Sequence, residues 1–168
     1  AYINVLNLSE EDYLTGTSIV MATKSGIVKK TQLKAYSNPR AKGIIAINIR
    51  EDDELLAARL VNEESELLFA TKYGKVVRFK SNTLRDLGRN SMGVKAVNLN
   101  LEEETGNEVI EMLSVDNPND TILVVSENGY GKRSPLEDYR QTNRGAKGVK
   151  TIQITEKTGS LVAIANVT

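Results

Sequence analysis

A pair of glycines flanked by basic residues recurs three times along this chain. Gly26, Gly74 and Gly129 each follow an apolar run (19–22, 67–70 and 122–125). Each precedes, within four residues, basic side chains: Lys29 and Lys30, Lys75 and Arg78, Lys132 and Arg133. Seventeen, nineteen and nineteen residues further on stand Gly43, Gly93 and Gly148. Basic residues lie just before them: Arg40 and Lys42, then Arg89, then Arg144 and Lys147. The chain then alternates into 44–47, 94–97 and 149–152, which carry Lys95 and Lys150. A fourth apolar segment falls between units at 55–61, 109–115 and 161–167, with 3–8 in the same phase. The period is thus 48 to 55 residues, with about four strand-like segments in each. Units of this kind cannot bury their own faces and must stack on their neighbours.

The segments are short, rich in Val and Ile, and bounded by Gly, Asn, Asp or Lys, so they predict strands. Asn128-Gly129 is a strong hairpin signal because both residues tolerate positive φ. Helix signals are confined to single turns near 32–36, 82–87 and 135–139. The pattern predicts an all-β, propeller-like array of blades. It holds three full units, 1–50, 51–104 and 105–155, and the start of a fourth at 156–168. Residues 3–8 and 43–49 are expected as strands, and 9–12 and 15–17 as polar turns. Pro39, which has no ladder donor, suits a loop. The acidic runs 51–54 and 102–104 read as solvated turns, because a calcium loop would space its oxygen ligands at alternate positions around a glycine.

The 168 residues include no cysteine, histidine or tryptophan, so thiolate and imidazole chemistry are excluded and no metal or cofactor is expected. No apolar run approaches the roughly 20 residues of a helical membrane span, and no signal peptide is expected. Net charge is zero, yet the charges are sorted. Segments 24–42, 72–95 and 127–150 hold 19 of the 22 basic residues and four of the 22 acidic ones. They carry net charges of +6, +6 and +3, and the remainder carries −15. Solvation of hairpin tips explains high charge but not charge of one sign. Sorting of this kind gives the surface field a direction, toward a polyanion.

Met21-Ala22-Thr23, Ser37-Asn38-Pro39-Arg40 with Gly43-Ile44-Ile45-Ala46, and Glu127-Asn128-Gly129-Tyr130-Gly131-Lys132-Arg133 resemble the C-terminal domain of bacterial DNA gyrase A. The related domain of topoisomerase IV is the second choice. The resemblance covers essentially the whole chain and implies a β-pinwheel, with duplex DNA bent around a basic outer rim. It further implies a bacterial, cytoplasmic, nucleoid-associated protein. Its partners would be the rest of gyrase A and, through it, the ATPase subunit of an ATP-dependent type II topoisomerase. This stretch would have no catalytic residue of its own and would take no cofactor. In that family a wrapping box, Gln-Arg-Arg-Gly-Gly-Lys-Gly, lies in the first blade. The nearest match is 142–148, where Arg144, Gly145, Lys147 and Gly148 agree, so it reads as a degenerate copy in a later blade. Because the family domain usually has about six blades, the chain reads as an internal fragment without the box-bearing blade.

The expected DNA contacts are Lys29, Lys30, Arg40, Lys42, Lys75, Arg78, Arg89, Lys95, Lys132, Arg133, Arg144, Lys147 and Lys150. Cations repeated along an arc neutralise phosphates and release counterions. Glycines in the box segments would let backbone amides approach phosphate oxygens as well. Nothing in the sequence suggests base readout, so any preference would come from DNA bendability. Tyr36 and Tyr139, at like positions in their units, are expected to pack rather than to stack on bases. Two other readings stand beside this one: a blade array that binds proteins, and an enzyme built only on carboxylates, lysines and tyrosines. Duplex titration at two salt concentrations separates the three.

Overall fold

The computed structural model describes residues 11–38 and 40–168. Segment 3–8 and Pro39 lie outside these. Each unit is built on a hairpin: β1 (Ser18–Thr23) with β2 (Ile27–Gln32), β4 (Glu66–Thr71) with β5 (Lys75–Lys80), and β8 (Thr121–Ser126) with β9 (Gly131–Pro135). Gly26, Gly74 and Gly129 close the turns at φ of 88°, 82° and 82°, a region that costs an L side chain about 1–2 kcal/mol. Three residues before each glycine, Thr23, Thr71 or Ser126 turns its hydroxyl oxygen to the amide of the residue after that glycine, at 3.2–3.3 Å.

The hairpins are joined by strand exchange. A long inner strand, β3 (Leu55–Val61), β7 (Val109–Val115) or β11 (Leu161–Val167), pairs antiparallel with the first strand of its hairpin. A two-residue outer strand pairs with the second, but it arrives from the following unit. Thus β6 (Val94–Lys95) sits on β2, and β10 (Val149–Lys150) sits on β5. The sheet orders are β3-β1-β2-β6, β10-β5-β4-β7 and β11-β8-β9.

Exchange accounts for the second glycines. Gly93 (φ 98°) presses so close to Val28 that an added Cβ would stand 2.4 Å from its carbonyl oxygen. At Gly148 (φ 94°) the same clash would be with Val76, at 2.9 Å. Gly43 shares the backbone twist (φ 78°) but has nothing within 4 Å of that position. Correspondingly, the expected strand 43–49 does not form: its equivalents pair with the hairpin of the unit before, and no such hairpin precedes it among the described residues.

Packing between sheets explains why the strands read as unbroken apolar runs. Leu67 and Phe69 of β4 face Val20, Ala22, Val28 and Ala57 of the first sheet. Leu68 and Ala70, on its other face, meet Ile122, Val124, Leu161 and Ile164 of the third. With both faces buried, the middle of β4, Leu67 to Ala70, is wholly apolar, and its polar residues stand only at its ends. One face of β8 is open, so β8 alternates buried and half-buried side chains. The far face of the first sheet is covered by Leu14 and Leu33. Leu14 lies on a short helix, α1 (Glu11–Gly16), where turns were expected. The predicted single turns are 3-10 turns at Leu33–Tyr36, Ser81–Thr83 and Leu136–Asp138. The inner strands touch in series, β3 on β7 and β7 on β11, which stacks the sheets side by side.

Candidate nucleic-acid interface

The thirteen expected contacts divide by what already holds them. Lys29 is wholly buried; its Nζ donates to the carbonyl oxygens of Ala46 and Arg89, both at 2.5 Å, and of Gly88 at 3.3 Å. Burial, helped by the nearby Arg89 guanidinium, lowers its pKa to about 8. Lys30 is also buried, donating to the Ser81 carbonyl at 3.2 Å with Asp86 at 3.8 Å. Arg78 forms a two-pronged pair with Glu66 and donates to the Leu136 and Tyr139 carbonyls at 3.2 and 2.9 Å, pinning the 3-10 turn of the next unit. Lys75 is half-buried against Glu104 at 2.6 Å. Lys29, Lys30 and Arg78 thus reach carbonyls of the following unit and bolt units together, while Lys75 serves a carboxylate of its own unit; the donors of all four are engaged inside the protein. Alternation along a half-buried strand would have suggested outward side chains, but here both strand faces are covered.

The other nine remain outside. Arg40, Lys42, Lys95, Lys132, Arg133, Arg144, Lys147 and Lys150 are exposed and Arg89 is half-buried. Lys132 occupies the place of Lys29 in its own unit, and its Nζ lies 3.4 Å from the carbonyl of Thr151, the counterpart of Ala46. Arg133 rests Nε on Thr121 Oγ1 at 2.6 Å. Arg89 and Arg144 each bridge back to the preceding unit, to the carbonyls of Ile45 at 3.4 Å and Lys95 at 3.1 Å. Lys80, Arg85 and Arg140, also exposed, were missed by the sequence reading. Arg85 and Arg140 stand eight residues before the second glycine of their units, a spacing that would have found them.

The box copy at 142–148 is stitched to its neighbour. Gly145 (φ 83°) donates its amide to the Ala96 carbonyl at 2.6 Å, and the Ala146 carbonyl accepts from Asn98 at 2.9 Å. The Gly145 amide therefore has its acceptor inside the protein, contrary to the expectation that it would face phosphate. Around this seam Lys95 and Lys147 border one hollow, and Arg85 and Arg144 another. Tyr139 is buried with its hydroxyl on Thr151, and the Tyr36 hydroxyl donates to Ala46 at 3.0 Å, so both pack as expected.

The acidic runs do more than solvate turns. Asp53 accepts the Ser25 amide at 3.0 Å as well as its hydroxyl, and Glu54 pairs with Lys24 at 2.7 Å. Burial alone would raise the Asp53 pKa, but hydrogen bonds from Ser25 and Thr23 outweigh it and hold the carboxyl below its ordinary value. Each acidic segment thus latches the hairpin turn of a blade, Asp53 on Ser25 and Glu104 on Lys75.

Side-by-side antiparallel blades, two of them four-stranded through an exchanged edge strand, define a propeller-type repeat protein with basic seams. Three stretches, 17–62, 65–115 and 120–168, match the family described as DNA gyrase C-terminal domain, beta-propeller. Each stretch runs from a hairpin through the following inner strand. The chain belongs to that family. It is 47% identical over 161 residues to the DNA gyrase A protein of Staphylococcus epidermidis, covering 95% of this chain and 17% of that protein. With the DNA gyrase A protein of Staphylococcus aureus the identity is 45% over 167 residues, 99% of this chain and 18% of that one. The chain therefore spans under a fifth of these relatives' length. Among solved structures, a DNA gyrase A C-terminal domain superposes with a TM-score of 0.77 at 27% identity, over 95% of this chain and 52% of that one. The C-terminal domain of a DNA topoisomerase IV superposes at 0.84 and 22% identity, over 95% and 49%, and shows the shared fold. Among the described residues no helix is long and apolar enough to cross a membrane.

Proposed function

We propose that this chain binds duplex DNA without sequence preference and bends it along its basic seams, as part of a type IIA topoisomerase of the gyrase kind. The observation that carries this is the seam where units two and three exchange strands. There Arg85, Lys95, Arg144 and Lys147, from both units, border neighbouring hollows and stay exposed. Family membership supports the same reading. The partners would be the remainder of gyrase A and, through it, the ATPase subunit, in a cytoplasmic, nucleoid-associated enzyme that uses the bend to direct supercoiling. The sequence units 1–50, 51–104, 105–155 and 156–168 would then be successive steps along the DNA path.

Titration against duplexes of differing sequence at 50–200 mM salt tests this. Kd of roughly 10⁻⁴ to 10⁻⁶ M is expected for all of them near physiological salt, and about four to six phosphate contacts give a log–log slope of about −4 to −5. Exposed Lys132 and Arg133, changed together to Glu, should weaken every duplex alike and flatten the slope. Binding indifferent to salt, or unchanged by that reversal, would point instead to a protein-binding scaffold.

A further inference from the structure

The groove at the joint between units two and three, about 340 Å³ in volume, is lined by Thr83, Arg85, Leu87, Val94 and Arg144. Its composition is specific. Leu87 and Val94 are half-buried and make an apolar floor, and two guanidinium groups from different units stand at its walls. Arg144 is held in place by one N–H on the Lys95 carbonyl at 3.1 Å, which leaves the rest of its five donors open. Arg85 is exposed and has no hydrogen-bond or ion-pair partner among the described residues. Its neighbour Asp86 does not neutralise it, being committed to Lys30 at 3.8 Å and Gln32 at 3.4 Å. The Thr83 hydroxyl donates to the Lys80 carbonyl at 2.7 Å. The groove thus presents two cations with free forked donors over an apolar base, and no carboxylate lines it.

The joint before it differs. The places of Arg85 and Arg144 are taken there by Ala35 and Arg89, so a single arginine remains. Arg89 still reaches back to the preceding unit, at the Ile45 carbonyl, so the placement is shared and only the pairing is new.

We propose that this groove is a socket for one phosphodiester of duplex DNA, with Arg85 and Arg144 clamping the same phosphate and Leu87 and Val94 meeting the adjoining deoxyribose. Guanidinium forks match phosphate oxygens geometrically, and an apolar floor suits a sugar face better than a hydrated free anion. The proposal rests on the DNA-binding reading and makes one position of it specific.

The test is a double-mutant cycle on salt dependence, with Arg85→Gln, Arg144→Gln and the pair, measured on the same duplex between 50 and 200 mM salt. Each neutralised phosphate contributes about 0.9 to the log–log slope, or about eightfold in affinity at 0.1 M relative to 1 M salt. If both arginines hold one phosphate, the double variant loses about 0.9 of slope and the single losses do not add. Two independent contacts would cost about 1.8, and an unchanged slope would mean the groove does not meet DNA; either overturns the socket. Arg140→Gln, at the counterpart of Arg85, serves as the comparison and should combine additively with both. Inorganic phosphate titrated alone should perturb the Arg85 and Arg144 side-chain NMR signals only in the millimolar range; saturation at micromolar phosphate would make this a small-anion site and overturn the assignment. Should the unaltered protein show no salt-dependent binding, the general DNA reading fails, an outcome distinct from failure of the clamp.

Discussion

Replacing Lys29 with Met keeps most of the unbranched stem and removes the buried ammonium. The Ala46, Gly88 and Arg89 carbonyls lose their donor. A buried acceptor left unsatisfied costs about 1–3 kcal/mol, so the two acceptors at 2.5 Å together cost about 2–6 kcal/mol. Against this, the charge no longer has to be buried. A pKa of about 8 in place of 10.5 corresponds to a penalty of about 3 kcal/mol, at 1.36 kcal/mol per unit. At pH 7, where Lys29 is protonated in both the folded and the unfolded chain, the two effects largely oppose, and the variant should lose no more than about 3 kcal/mol. Raising the pH separates them. Between about 8 and 10.5 the folded protein releases the Lys29 proton while the unfolded chain keeps it, so stability of the unaltered protein rises with pH. The neutral amine still donates to the carbonyls. Its advantage over the Met variant should therefore grow by about 2–3 kcal/mol from pH 7 to pH 10. Urea unfolding of both proteins at the two pH values measures this, since every other titrating group is common to the pair. A difference that stays constant or shrinks with rising pH would refute the buried-ammonium argument. The same variant should leave the DNA salt slope unaltered, because Lys29 has no exposed surface.

Gly93→Ala should cost over about 3 kcal/mol in chemical denaturation, combining left-handed strain with a Cβ forced to 2.4 Å from the Val28 oxygen; Gly43→Ala, open on all sides, should cost only the strain of about 1–2 kcal/mol. Equal losses at the two sites would discredit the strand-exchange account. Arg78→Met strips the partner from largely buried Glu66 and from two carbonyls of the next unit, so about 3–5 kcal/mol is expected in the same assay. Loss of amide protection should appear first around 136–139, where those carbonyls sit.

Much of this protein is written in its glycines. Positive φ at Gly26, Gly74 and Gly129 demands a residue without Cβ, so the hairpins and their period are visible in the chain. The runs 67–70 and 122–125 show equally well that strands pack against one another, and the all-β repeat follows from them. Helix α1 was not visible, because a helix of six residues is too short to show a periodicity. The strand exchange was likewise hidden. Gly93 and Gly148 look like ordinary turn residues until their neighbours Val28 and Val76, more than sixty residues away, are known.

The same distinction governs the basic residues. That cations cluster in three segments is a property of the sequence. Which of them face solvent is decided by the joints. Lys29 and Lys132 hold the same place in their repeats and reach the same carbonyl position, at Ala46 and Thr151. Backbone from the following unit, at Gly88 and Arg89, closes over Lys29, and no described segment closes over Lys132. Local sequence sets where a side chain starts and which way its strand turns it. Whether it ends in water or among carbonyls depends on a segment some sixty residues distant in the chain, and only the packed array brings that segment near.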